Sequence, residues 1–243
     1  MKSEAENWFL HDLKGKYDTL LQYLAKNPGA NYGDLSAAGS STSDDVKQLG
    51  GYLAHLEKKL GMIVKKQPIF GKSTARTSRY YLADNFLKSW LFALKHPVQA
   101  QNFRVKEDLI KQANEALETI EGHSLELMTA QLFQELSRKG VKGYDLQYQV
   151  QGYWDRMNRE IDLIALMKNE IWFVSCKRNP EKQFSVMPEL FANATFFMEN
   201  HKQFQELNRV YVCISPYFNL EQRTKIHDMG GKAISISELV QEL

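Results

Sequence analysis

Trp154-Asp155-Arg156-Met157-Asn158-Arg159-Glu160-Ile161-Asp162-Leu163-Ile164-Ala165-Leu166 and Glu170-Ile171-Trp172-Phe173-Val174-Ser175-Cys176-Lys177 contain two apolar stretches, Glu160 to Leu166 and Ile171 to Lys177, separated by a short turn at Met167 to Asn169. Their length and their β-branched and aromatic content read as neighbouring strands. Side chains alternate along a strand, so Phe173, Ser175 and Lys177 share a face. Asp162 on one strand can then converge with residues 175 and 177 on the next, at one point beside the sheet. Further strands are predicted at Leu146 to Val150, Val210 to Ile214 and Ala233 to Ile236, with helices at Met187 to Phe204 and Leu220 to Met229. Strand-helix-strand crossovers with helices on the faces describe an α/β sandwich.

Upstream of this region the pattern is helical. Val105 to about Lys139 predicts a long helix with a break or bend near Gly122, and Asp84 to Pro97 a connecting helix. From Trp8 to Lys26 apolar residues recur at spacings of three and four, and Asn27-Pro28-Gly29 stops the run. A short helix follows over Tyr32 to Ala38. The hydroxyls of Ser40-Ser41-Thr42-Ser43 can cap a third helix starting near Asp44, whose stripe is Val46, Leu49, Leu53, Leu56 and Leu60. Gly50-Gly51 in its middle costs about 1 kcal/mol per glycine relative to alanine, so tertiary packing must hold the segment. After Gly61, Met62-Ile63-Val64 and Arg79-Tyr80-Tyr81-Leu82 read as a hairpin with a polar, basic tip at Phe70 to Ser78.

Three helices and a basic hairpin are the layout of a winged helix-turn-helix. In that reading Lys47, Gln48, Tyr52 and His55 face a DNA groove, and Lys72, Arg76 and Arg79 on the wing touch phosphates of double-stranded DNA. The expected fold class is therefore α/β (α+β overall). A winged helix with its connecting helix occupies residues 1–100, and a restriction-endonuclease-like α/β sandwich occupies 101–243.

Charge supports this division. The formal net charge is only +2, yet residues 1–100 carry 14 Lys or Arg against 9 Asp or Glu, and the remainder 17 against 20. Seven basic residues and no acid lie between Lys58 and Arg79, a field that attracts phosphates or a solvated loop. With 43% apolar residues, no apolar run of membrane-spanning length and no secretory leader, the expected setting is cytoplasmic, with no membrane partner. Cys176 and Cys213 have no partner at metal-ligand spacing, which leaves neither a zinc site nor a disulfide framework in view. The six histidines are scattered and form no HExxH; His123 beside Gly122 reads as a helix-start or core-edge residue.

Phosphodiester hydrolysis calls for carboxylates that hold a divalent cation and a nearby ammonium that positions water or stabilises negative charge. The order of residues resembles the PD-(D/E)XK nuclease superfamily. More closely, it is similar to the C-terminal portion of archaeal-type AAA+ ATPases, which joins a winged helix to a nuclease-like domain. The likeness covers roughly residues 10–180. It is carried by Tyr80-Tyr81-Leu82-Ala83-Asp84-Asn85-Phe86-Leu87 with Trp90, Gly122-His123-Ser124-Leu125-Glu126, Trp154-Asp155-Arg156 with Glu160-Ile161-Asp162, and Ser175-Cys176-Lys177.

The resemblance implies Glu126 as the helix acid, Asp162 as the principal ligand of Mg²⁺ or Mn²⁺, and Lys177 as the catalytic ammonium. Read without it, Glu126 is a helix-surface acid and Asp162 a solvated strand-end carboxylate. Position 175 departs from the pattern, since Ser175 stands where Glu is expected and a hydroxyl does not replace a carboxylate on a hard cation. Glu160, two residues before Asp162, and Glu189 on the following helix are the available substitutes. Gly71-Lys72-Ser73 matches only the tail of a phosphate loop, because position 66 is Lys66, so no ATP binding is expected. The chain then either serves a separate ATPase partner or has lost its motor. Against a nuclease, active or degenerate, stands a non-enzymatic adaptor that binds a protein.

Overall fold

The computed structural model describes residues 15–39, 43–71 and 77–243, the side chains of 43–46 excepted. The chain packs as two units. One comprises 1–67 and 71–120, the other 68–70 and 121–243, so the divide between them falls inside a helix rather than at residue 100.

The first unit contains α1 (Lys16–Lys26), α2 (Tyr32–Gly39) and α3 (Ser43–Ala54), with α3 running on through a wider turn at His55–Lys59. Strands β1 (Ile63–Lys66) and β2 (Arg79–Leu82) pair antiparallel, Lys66 opposite Arg79, and Ala30 makes an isolated bridge to Tyr80. The stripes legible in sequence close into one core: Leu20, Leu21 and Leu24 of α1 meet Leu35, Leu49, Leu53 and Leu56. Burial of these leucines, worth about 1.5–3 kcal/mol each, holds α3 despite Gly50 and Gly51 on its exposed side. Asp84 caps α4 (Asn85–Ser89) by accepting from the Leu87 amide at 2.6 Å. The helix continues through Trp90–Leu94 into α5 (Lys95–Ala100).

Helix α6 (Lys106–Arg138) runs on through Gly122, so the break, one of the two forms expected there, does not occur. A glycine mid-helix costs about 1 kcal/mol, too little to break 33 residues that bury Leu109 and Ile120 early and Leu125, Phe133 and Leu136 late.

The second unit is built on one five-stranded sheet in the order β3 (Gln151–Trp154), β4 (Glu160–Leu166), β5 (Glu170–Cys176), β6 (Asn208–Ser215), β7 (Lys232–Ser235). The first three strands are antiparallel neighbours, and β5, β6 and β7 are parallel, joined by α7 (Glu181–Asn200) and α8 (Leu220–Asp228). Alternation sorts β5 onto two cores. Trp172, Val174 and Cys176 pack with Leu125, Phe133 and Leu136 of α6, while Ile171 and Phe173 pack with Leu190, Ala194 and Phe197 of α7. Helices on both faces explain why β4 and β5 read as nearly continuous apolar runs. Capping boxes at Asn219 and Ser235 start α8 and the final helix α9 (Ile236–Gln241).

Three sequence expectations move here. Leu146 to Val150 is not a strand: Leu146 makes only an isolated bridge to Met167, and the edge strand lies at Gln151–Trp154, with a register shift beside Gly152. Helix α7 begins at Glu181, six residues before the predicted start, and contains Pro188. The hairpin tip is not polar throughout. Ile69 is buried in the second unit, its amide donates to Gly152 O at 2.9 Å, and Phe70 sits 4.9 Å from Tyr148 and 4.8 Å from Phe204 between ring centroids. Among the described residues no helix is long and apolar enough to cross a membrane.

Candidate functional site

Strand β4 carries Asp162 and β5 delivers Ser175 and Cys176 with Lys177 directly after, in a register that pairs Leu163 with Val174. At the end of that pair, Asp162 Oδ2 accepts from Lys177 Nζ at 2.8 Å and from the Cys176 backbone amide at 2.7 Å. Both side chains are mostly enclosed, 17% exposed for Asp162 and 28% for Lys177. Burial opposes the Lys177 ammonium, but attraction to Asp162 and the hydrogen bond it donates there, with the Glu126 charge adding to them, leave its pKa raised.

Glu126 lies on α6 next to Leu125 of the core stripe, near enough for the charges of Asp162 and Lys177 to act on its carboxyl. Its carboxyl is pushed above its ordinary value chiefly by burial and further by the Asp162 charge. A hydrogen bond from His123 and the charges of His123 and Lys177 pull the other way. His123 Nδ1 lies 3.3 Å from Glu126 Oε2. Glu126 is thus a largely enclosed acid, its side chain 28% exposed, and His123 is its mid-helix partner rather than a helix-start residue. Below them Cys176 is buried, its Sγ 3.8 Å from Thr129 Oγ1, and burial with the Asp162 and Glu126 charges raises its thiol pKa well above the ordinary value.

Glu160 is not gathered into this cluster. It is exposed at the start of β4, where its carbonyl accepts from Asn193 Nδ2 at 2.9 Å. Two residues along a strand span about 6.6 Å, so sharing a face with Asp162 does not bring the carboxylates together. Glu189 is exposed on α7. Among the described residues no group of three or more His, Cys, Asp or Glu is placed to hold a metal ion. The three-acid set of Asp162, Glu126 and Glu160 expected from sequence is therefore not assembled. Two carboxylates remain, one already engaged by a lysine and an amide, and Ser175 supplies only a hydroxyl at a position 4% exposed. The donors are thus one carboxylate short of the expected set, and the Asp162 oxygen that would face a cation is the one Lys177 and the Cys176 amide engage.

In the first unit Lys47 and Gln48 lie on the exposed side of α3. Tyr52 is half-buried; its hydroxyl donates to Gln48 Oε1 at 2.8 Å and its ring stands edge-on to Tyr17 at 5.1 Å. His55 packs on the same tyrosine at 5.6 Å. Arg79 is half-buried on β2, and Lys72 and Arg76 lie outside the described residues.

Sequence reasoning passed over Gln183. It is fully buried on α7 and its Nε2 donates to Ser175 O at 3.2 Å and Ile214 O at 2.8 Å. Ser215, also buried, donates from Oγ to Lys177 O at 2.5 Å. No signal of spacing marks either residue, since an isolated Gln or Ser in an apolar context reads as surface.

Together these features define a mixed α/β protein with an acid-lysine pair at the end of two adjacent strands and a helix acid beside it. Residues 90–186, which span that site, match the family DUF234, described as archaea bacterial proteins of unknown function. Among curated proteins none matches. One solved structure, Can2 from Sulfobacillus thermosulfidooxidans in complex with cyclic tetra-adenylate (cA4), aligns at 11% identity with a TM-score of 0.30, over 98% of this chain and 51% of Can2. The chain spans about half the length of that protein.

Proposed function

We propose that this chain is a double-stranded-DNA-binding protein whose second unit is a nuclease-like domain of the PD-(D/E)XK kind with a degenerate metal site. The observation that supports the nuclease ancestry is the 2.8 Å contact between Asp162 on one strand and Lys177 after the next, with both charges acting on the Glu126 carboxyl. The departure at Ser175 supports degeneracy, because the missing carboxylate leaves Lys177 to neutralise Asp162 in place of a cation. The winged helix-turn-helix reading of the first unit is supported by its order of three helices and an antiparallel hairpin, and by Lys47 and Gln48 on the outer face of α3.

Binding to a DNA duplex, followed by fluorescence anisotropy against salt, tests this reading. Affinity should fall as salt rises, and Lys47→Ala and Arg79→Ala should each reduce the salt slope by about 1. No binding even at about 50 mM salt would dispose of the DNA claim.

For ancestry the decisive variant is Ser175→Glu. Plasmid nicking in Mn²⁺ that appears only with Ser175→Glu, and is lost when Asp162→Ala or Lys177→Ala is added, is the expected result. Nicking that survives those second substitutions would count against the site.

A second reading, an adaptor that docks on a protein partner such as a separate ATPase, is favoured by the same incomplete acid set. It predicts a salt-insensitive failure to bind DNA together with a folded, intact Asp162–Lys177 pair.

A further inference from the structure

The peptide joining Ser175 to Cys176 is held from both sides. Its N–H donates to Asp162 Oδ2 at 2.7 Å, and its C=O accepts from Gln183 Nε2 at 3.2 Å. The same Nε2 donates to Ile214 O at 2.8 Å, an oxygen that also accepts the Lys177 amide at 2.9 Å. Ser215 Oγ then closes on Lys177 O at 2.5 Å. One amide group on α7 therefore ties β5 to β6 at the point where β5 presents both the N–H that grips Asp162 and the lysine that pairs with it.

The orientation of that amide is fixed by chemistry. Its nitrogen faces two carbonyl oxygens, and a flip would set oxygen against oxygen. Oε1 is buried and, among the described residues, has no hydrogen-bond partner. Fully buried polar atoms without partners are rare in folded proteins and call for a specific reason. A methionine or leucine would fill the same space beneath α7 without stranding an acceptor, so filling the core does not account for glutamine here.

We infer that Gln183 is a positioning residue: through the Ser175–Cys176 peptide it fixes the backbone that holds Asp162 and Lys177 in contact. This rests on reading that pair as the site, but it concerns the pair's geometry and not any particular ligand.

The test is amide hydrogen exchange on the full chain. In Gln183→Met, exchange at Cys176 should rise by about fivefold or more relative to Phe173 and Val174 on the same strand. Met187→Ala, a cavity in the same helix from a residue that is also fully buried, should slow or speed all three amides together. If Gln183→Met does not fold, Gln183→Asn, which keeps the amide but shortens its reach by one methylene, carries the same comparison. Equal acceleration of Cys176, Phe173 and Val174 in the Gln183 variant, or selective acceleration of Cys176 in Met187→Ala, overturns the inference. Loss of DNA binding in the wild-type protein with selective exchange intact would sink the proposed function and leave this inference standing.

Discussion

Asp155 and Asp162 flank the start of the same strand, and each accepts hydrogen bonds from a cation and from at least one backbone amide. Asp155 takes the Met157 amide at 2.7 Å, the Arg159 amide at 3.2 Å and Arg159 Nε at 2.7 Å, all within four residues of itself. Asp162 takes its two partners from across the sheet, at Cys176 and Lys177. The first arrangement pins a turn, with Asn158 at φ 60° and the Arg159 guanidinium 3.2 Å above the Phe196 ring centroid. The second arrangement binds one strand to another and gathers Glu126 beside them. Identical chemistry thus serves local geometry in one place and a convergent site in the other. What separates the two is the sequence distance of the partners.

Removing each carboxylate should expose that difference. Asp162→Ala leaves the Cys176 amide without its acceptor and the Lys177 ammonium unpaired in a largely enclosed place, for a loss of about 3 kcal/mol in denaturant unfolding. The 28% exposure of Lys177 keeps the figure below that of a fully buried pair. Asp162→Asn, which retains an acceptor for the amide, should recover roughly half of it. Asp155→Ala removes bonds whose partners all lie within four residues and can rearrange with the turn, at a cost of about 1–2 kcal/mol. Equal losses for the two alanine variants would erase the distinction between turn and site.

The same contrast of local against distant explains what the sequence made legible. Strands β4 and β5 were readable because both faces are covered and their apolar runs are continuous; the meeting of Asp162 with Lys177 followed from period-two alternation. The stripe Leu49, Leu53, Leu56 located α3 for the same reason. Glu160 was misplaced because alternation says which face a side chain takes but not that two residues along a strand separate their carboxylates. Gly122 suggested a break that burial of Leu125, Phe133 and Leu136 overrides, and Pro188 hid the early start of α7. Gln183 left no trace, since its role lies in which carbonyls it meets.

Acidity gives the finest test of the comparison. For Asp155, burial raises the carboxyl, but the Arg159 and amide hydrogen bonds outweigh it and hold the pKa below its ordinary 3.8. Its contribution is present above the unfolded value and is lost as pH falls through the folded one. Glu126 runs the other way. Burial raises its pKa above 4.5, the Asp162 charge adds to that, and His123 and Lys177 only partly offset it. Its contribution is complete below the unfolded pKa and is lost as pH rises through the folded value, because the unfolded chain then ionises more readily. Glu126→Gln cannot ionise and keeps an acceptor toward His123. It should therefore match the wild type near pH 4 and become the more stable of the two as pH rises. Unfolding midpoints in urea across pH 4 to 8 read this directly. A stability difference that does not change with pH would mean that Glu126 is solvated and that the acid beside Asp162 does not share its enclosure.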